Sequence, residues 1–286
     1  MLKHYGGKGP ALHFSHANGF PPGAYSQLLE EFCPEFSLWV SHHRPLWDEA
    51  APETLHSWEV MADDLVVELQ RLDEPVVGIG HSMGAAVQMM AAMKRPDLFA
   101  GLVLIEPVLI KRRYLAILSL INRVNPAIFP LVRRTLQRTS LWPDVNQAFR
   151  HFRRKRVFSR ISDDVLWDYV NHGTRTSDQL GEELRDGSSQ VELVYGKDWE
   201  ARVYTQVPDM WGVLTSLDLP VLGFRGNKTD TLLRSAWRSW QKKAPGHTHI
   251  EFDGLGHLLP FEEPQHVAGE IKGWLMSQPL ASWRQR

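Results

Sequence analysis

Six short runs along the chain carry the apolar and β-branched side chains of strands: LHFSH (12–16), FSLWVS (36–41), PVVGIGH (75–81), GLVLIEP (101–107), PVLGFRG (220–226) and HTHIEFD (247–253). Several are apolar almost throughout instead of alternating, the pattern of parallel strands covered on both faces. Helical periodicity fills the gaps. Val60, Met61, Leu65, Val66 and Leu69 form one apolar stripe, and Ala85 to Met93 is a small-residue segment able to pack close to a sheet. This β-α alternation predicts an α/β fold with a doubly wound, mostly parallel sheet and helices on both faces. The rhythm stops at Lys111 and resumes near Pro220. The chain therefore divides into a core, 1–110 and 217–286, and an insertion, 111–216, read as a helical cap over the strand ends.

Composition narrows the function classes. A net charge of -1 excludes a general nucleic-acid binder, since phosphate neutralisation needs excess Lys and Arg. The one cysteine, Cys33, excludes an internal disulfide and a cysteine-built zinc site. Neither a metal nor a cofactor is expected. MLKHYGGKGPALHFS holds no sustained apolar stretch, so a signal peptide and a transmembrane segment are not expected, and the expected location is cytoplasmic. Oligomeric state leaves no signature.

Charge is uneven, however. From Lys111 to Arg160 there are 13 Lys and Arg against one acid, Asp144, which is +12; with the whole chain at -1, the remainder carries -13. The bland account is a solvated basic face. The sharper one is a weak, salt-sensitive contact with anionic lipid or acyl-CoA. Within this region Tyr114 to Ile121 is an apolar run bracketed by Lys111, Arg112, Arg113 and Arg123, expected first as the underside of a lid.

The most specific chemistry lies in GIGHSMGAA (78–86). Gly80-His81-Ser82-Met83-Gly84 follows a strand and precedes a helix, the context that makes G-x-S-x-G a nucleophile elbow. Ser82 would be the nucleophile, and Met83 N–H one oxyanion donor at the helix N-terminus. A serine hydroxyl needs a base, and GLGHLLPFEEP offers His257 on a glycine-flanked loop after the last strand. The histidine needs a carboxylate. Asp230, in GFRGNKTD, is the favoured acid; Glu106, ending LVLIEP, is the alternative. HANGFPPG (16–23) should supply the second oxyanion donor, from Ala17 or Asn18.

In order, SHANGFPPGAY, GIGHSMGAAV, PVLGFRGNKTD and GLGHLLPFEEPQHVA resemble the motifs of the α/β-hydrolase superfamily over nearly the whole chain outside the cap. The resemblance implies an eight-stranded, mostly parallel sheet, a cap before the seventh strand, and a triad of Ser82, Asp230 and His257. Two departures stand out: HAN replaces the usual His-Gly, and GNKTD is one residue longer than the common G-x-x-D. Serine at the elbow argues against the dehalogenases and epoxide hydrolases of the superfamily, which use a carboxylate. The expected function is hydrolysis of small-molecule carboxylic esters, with small to medium apolar acyl groups, through an acyl-serine intermediate. Thioesterase, lactonase and carbon–carbon hydrolase activities use the same residues, and non-enzymatic receptors share the fold.

Overall fold

The computed structural model describes residues 1–177 and 190–278; the stretches 178–189 of the predicted cap and 279–286 of the predicted core lie outside the described residues. Ten strands are present there: β1 (Leu2–Gly6), β2 (Ala11–Ser15), β3 (Ser37–Ser41), β4 (Val76–His81), β5 (Phe99–Ile105), β6 (Leu141–Trp142), β7 (Thr174–Thr176), β8 (Val191–Leu193), β9 (Val221–Gly226) and β10 (Thr248–Phe252). Seven form the main sheet, in the order β1-β3-β2-β4-β5-β9-β10. All neighbours are parallel except β1, which runs antiparallel to β3.

The six predicted strands all form. The expected count of eight is corrected to seven among the described residues, the sheet being bounded by the antiparallel β1 on one edge and by β10 on the other. The strand that periodicity did not show is β1, a half-exposed edge whose Lys3 and His4 lie in the open. Residues of β2, β4 and β9 are buried without exception, as two-sided coverage requires. Successive residues divide between the faces: Val103 and Ile105 join the layer containing Val267 and Ile271, whereas Leu102 and Leu104 join the layer containing Leu65, Val87 and Trp240. Each such side chain withdrawn from water is worth about 1.5–3 kcal/mol.

The insertion lies between β5 and β9. It holds the helices Arg112–Val124, Pro130–Leu136, Val145–Arg153, Asp163–Gly173, Lys197–Thr205 and Trp211–Thr215, and also the antiparallel sheet β6-β8-β7, which the sequence pattern did not show. Strands of two or three residues are too short for a period-two pattern to register in sequence. No helix among the described residues is long and apolar enough to cross a membrane.

Burial extends to polar side chains on and beside the sheet, several of which are hydrogen-bonded to one another. His13 accepts at Nδ1 from Gln88 Nε2 (2.7 Å) and pairs at Nε2 with Ser41 Oγ (2.8 Å), whose hydroxyl donates to Glu68 Oε2 (2.5 Å). His16 pairs at Nδ1 with Ala17 O (2.9 Å) and accepts at Nε2 from His43 N–H (3.3 Å). Desolvation pushes the imidazoles of His13 and His16 down to about 3, and those of His43 and His81 well below their ordinary value.

A histidine whose folded pKa is depressed stabilises the fold above its unfolded pKa of about 6.5. Below that pH the unfolded chain takes up protons that the folded chain refuses. Stability should therefore fall as pH drops from about 6.5 toward 3, by about 1.4 kcal/mol per pH unit for each buried histidine. Urea midpoints at pH 7.5, 6 and 5 check this; a stability that stays level down to pH 5 contradicts it.

Candidate active site

The strands β4 and β5 end side by side, with His81 paired in register with Ile105. The next residue on each strand is Ser82 and Glu106. These are the two non-glycine residues with positive φ among the described residues, at 54° and 48°. Left-handed backbone at such residues costs on the order of 1–3 kcal/mol and persists only where the surroundings enforce it. They are enforced here by hydrogen bonds from Ser82 N–H to Ile105 O and from Glu106 N–H to Phe224 O, each 2.9 Å.

The elbow glycines follow from this turn. A Cβ on Gly80 would stand 2.5 Å from the Ala85 nitrogen, and one on Gly84 would stand 2.1 Å from Ser15 O. Neither position has room for a side chain. Beyond the elbow, Met83 opens the helix Met83–Lys94, so its N–H belongs to the first turn, where main-chain donors have no partner within the helix.

His257 is brought to the elbow from the loop after β10. Its Nε2 lies 3.1 Å from Ser82 Oγ, and its Nδ1 lies 3.1 Å from Glu106 Oε2. The loop is held at Gly256, whose N–H donates to the buried carboxylate of Glu262 (2.9 Å), itself 3.8 Å from Arg160 of the insertion. Burial raises the pKa of Glu262. The residue lies in the quoted FEEP stretch, but sequence gave it no reason to face inward.

Of the two predicted acids, the structure joins Glu106 and not Asp230 to the histidine. Glu106 is completely buried and also accepts from Gly226 N–H (2.8 Å) and from Thr229 Oγ1 (2.7 Å). Asp230 stands exposed on the turn after β9, 3.4 Å from Thr231 Oγ1. The extra residue in GNKTD is the physical reason. Counting G-x-x-D from Gly226 arrives at Thr229, which turns inward and hydrogen-bonds Glu106, while the aspartate one place on turns out.

The loop after β2 sorts its donors in the same way. Ala17 N–H donates to the Tyr25 hydroxyl (3.1 Å), whereas the neighbouring N–H of Asn18, the other of the predicted pair, has no hydrogen bond among the described residues. The Asn18 side chain donates from Nδ2 to Glu200 O (3.1 Å) in the helix Lys197–Thr205. Glu200 in turn meets Arg138 Nη1 at 2.5 Å, its pKa raised by burial against the pull of that cation. The insertion is thus fastened to the loop.

Tyr25 extends the connection. Its hydroxyl lies 2.8 Å from His81 Nδ1, and His81 Nε2 lies 2.9 Å from the carbonyl of His257. A carbonyl only accepts, so His81 carries its proton on Nε2. Its Nδ1 therefore accepts from the Tyr25 hydroxyl, whose oxygen accepts from Ala17 N–H. Burial pushes the Tyr25 phenol up and the His81 imidazole down, which keeps both neutral. Tyr25 sits inside SHANGFPPGAY, yet no spacing rule connects it to His81; that contact exists only once the chain has folded.

The arrangement is a serine hydroxyl, an imidazole and a buried carboxylate in line, beside main-chain donors. Comparison with known proteins agrees with the fold that carries it. A model of the alpha/beta hydrolase family matches residues 14–270. The abhydrolase domain-containing protein AFT2-1 of Alternaria alternata is 26% identical over 243 residues, covering 74% of this chain and 87% of the relative. Lipase LipV of Mycobacterium tuberculosis is 31% identical over 151 residues, 51% of this chain and 56% of the lipase. Among solved structures, E-2-(acetamidomethylene)succinate hydrolase superposes with a TM-score of 0.76 at 19% identity, over 96% of this chain and 94% of that one. The chain belongs to the α/β-hydrolase family.

Proposed function

We propose that this protein is a serine hydrolase that cleaves carboxylic esters through an acyl-Ser82 intermediate. One observation carries the reading: the unbroken hydrogen-bonded line Ser82 Oγ–His257–Glu106, 3.1 Å at each step, on an elbow at a helix N-terminus. As Ser82 Oγ attacks the ester carbonyl, His257 Nε2 takes its proton. Buried Glu106 fixes the ring through Nδ1–H and stabilises the imidazolium that forms. The N–H groups of Met83 and Asn18 receive the oxyanion. His257 then protonates the departing alcohol. In the second half it draws a proton from the water that attacks the acyl carbonyl, and returns that proton to Ser82 Oγ as the acyl–oxygen bond breaks, releasing the acid.

The kinship with Lipase LipV supports an acyl-ester substrate. In this reading the insertion acts as a cap, held by Asn18–Glu200 on one side of the elbow and Arg160–Glu262 on the other.

The assignment of the acid is tested by ranking variants in one ester-hydrolysis assay. Ser82→Ala should lose on the order of a million-fold in kcat. Glu106→Gln should lose roughly ten-thousand-fold, because the carboxamide no longer holds the right tautomer or stabilises the imidazolium. Asp230→Asn should stay close to wild type. A larger loss for Asp230→Asn than for Glu106→Gln would return the acid role to Asp230; a nearly active Ser82→Ala would remove the mechanism.

Tyr25 has a positioning role in the same scheme, since it ties the oxyanion loop to the histidine loop through His81. Tyr25→Phe deletes one hydroxyl and both bonds. The expected result is a kcat lower by about tenfold with KM little changed, the cost of a loosened oxyanion geometry. Loss confined to KM, or unaltered kinetics, contradicts that role.

A further inference from the structure

Of the thirteen exposed large apolar side chains among the described residues, six fall within eighteen positions of the insertion: Tyr114, Ile117, Leu120, Val124, Ile128 and Leu131. The first four follow the spacing of one helical stripe on Arg112–Val124, and that stripe faces out: Leu120 is 65% and Val124 73% exposed. The apolar run is not the underside of a lid along its whole width. Leu115, Leu118 and Ile121 are half-buried toward the protein, while Tyr114, Ile117 and Leu120 are turned to solvent. Ile128 and Leu131 continue the patch across the turn Pro126–Ile128, which packs against both flanking helices.

Cations lie along the same two helices and at the start of the first. Arg113, Arg133 and Arg134 are exposed and Lys111 is half-exposed, and no carboxylate among the described residues pairs with any of them. Arg112 contributes less, since Asp209 holds it at 2.5 Å. Arg113 also lies over the Tyr114 ring at 4.8 Å, so charge and apolar surface share one face.

Three kinds of occupant could cover such a face. A second copy of this chain, meeting it across a two-fold axis, would set the same cations against each other. A nucleic acid would satisfy the charge but leave six apolar side chains against phosphates. An anionic lipid surface satisfies both, since headgroup phosphates and carboxylates meet the cations while the apolar stripe enters the acyl boundary. We infer that this face of the insertion docks the protein on anionic lipid, lying in the interface without spanning it. At thirteen residues, the helix is well short of the roughly 20 that cross a bilayer.

The docking is independent of the chemistry at Ser82, and its readout is binding. Full-length protein is co-sedimented with phosphatidylcholine vesicles, with and without phosphatidylserine, at low and high salt. Binding is expected only where phosphatidylserine is present, and about tenfold weaker at high salt. Leu120→Glu, at an exposed position, should lower binding by about tenfold or more. Each of Arg133→Gln and Arg134→Gln should lower it about fivefold. Circular dichroism and light scattering accompany each variant, and the two charge variants retain the test should Leu120→Glu fold poorly. The inference is overturned by absence of low-salt binding, by variants that bind like wild type, or by a dimer that Leu120→Glu dissociates.

Discussion

Everything at the candidate site depends on two residues held in left-handed backbone at the ends of neighbouring parallel strands. Ser82 and Glu106 each follow a residue of the β4–β5 register, and the Ser82 N–H is bonded to the carbonyl just before Glu106. The sheet itself therefore fixes the spacing between hydroxyl and carboxylate. His257, arriving from the far end of the chain, has only to span a gap that already exists. Strain of this kind survives because the two strands that lead into it, buried throughout in β4 and at all but Ala100 in β5, leave the backbone no alternative.

The second layer of the site is a set of neutral, buried polar groups that join loops distant in sequence. Ala17, Tyr25, His81 and the His257 carbonyl form a continuous donor–acceptor chain from the loop after β2 to the loop after β10. His81 stays uncharged because burial opposes its protonation, and a positive charge on His257 would oppose it further. In the proposed mechanism it can therefore keep the same tautomer throughout. Lateral ties from Glu200 and Glu262 carry this order into the insertion.

Much of this was legible in the sequence. Parallel strands announce themselves as unbroken apolar runs, and Gly80, Ser82 and Gly84 mark a turn that only a strand-to-helix elbow requires. His257 could be found because it sits on a glycine-flanked loop at a strand end. The acid could not be assigned by position. Asp230 and Glu106 both follow strands, and what separates them is the inward turn of Thr229, a side-chain orientation set by tertiary contacts. Nor could sequence find β1, whose exposed face has no hydrophobic signal, or Tyr25, whose partner lies 56 residues away. The insertion was readable as a largely helical interruption, but neither its small sheet nor the outward face of its apolar helix was.

The central claim is that the line from Glu106 through His257 makes Ser82 an activated nucleophile. A fluorophosphonate reacts with a serine so activated and not with an ordinary surface hydroxyl, so the direct measurement is peptide mapping of the labelled protein by mass spectrometry. The account predicts one adduct, on Ser82 of the GIGHSMGAA segment, formed rapidly at neutral pH. An unlabelled protein, or an adduct on a different serine, would contradict it.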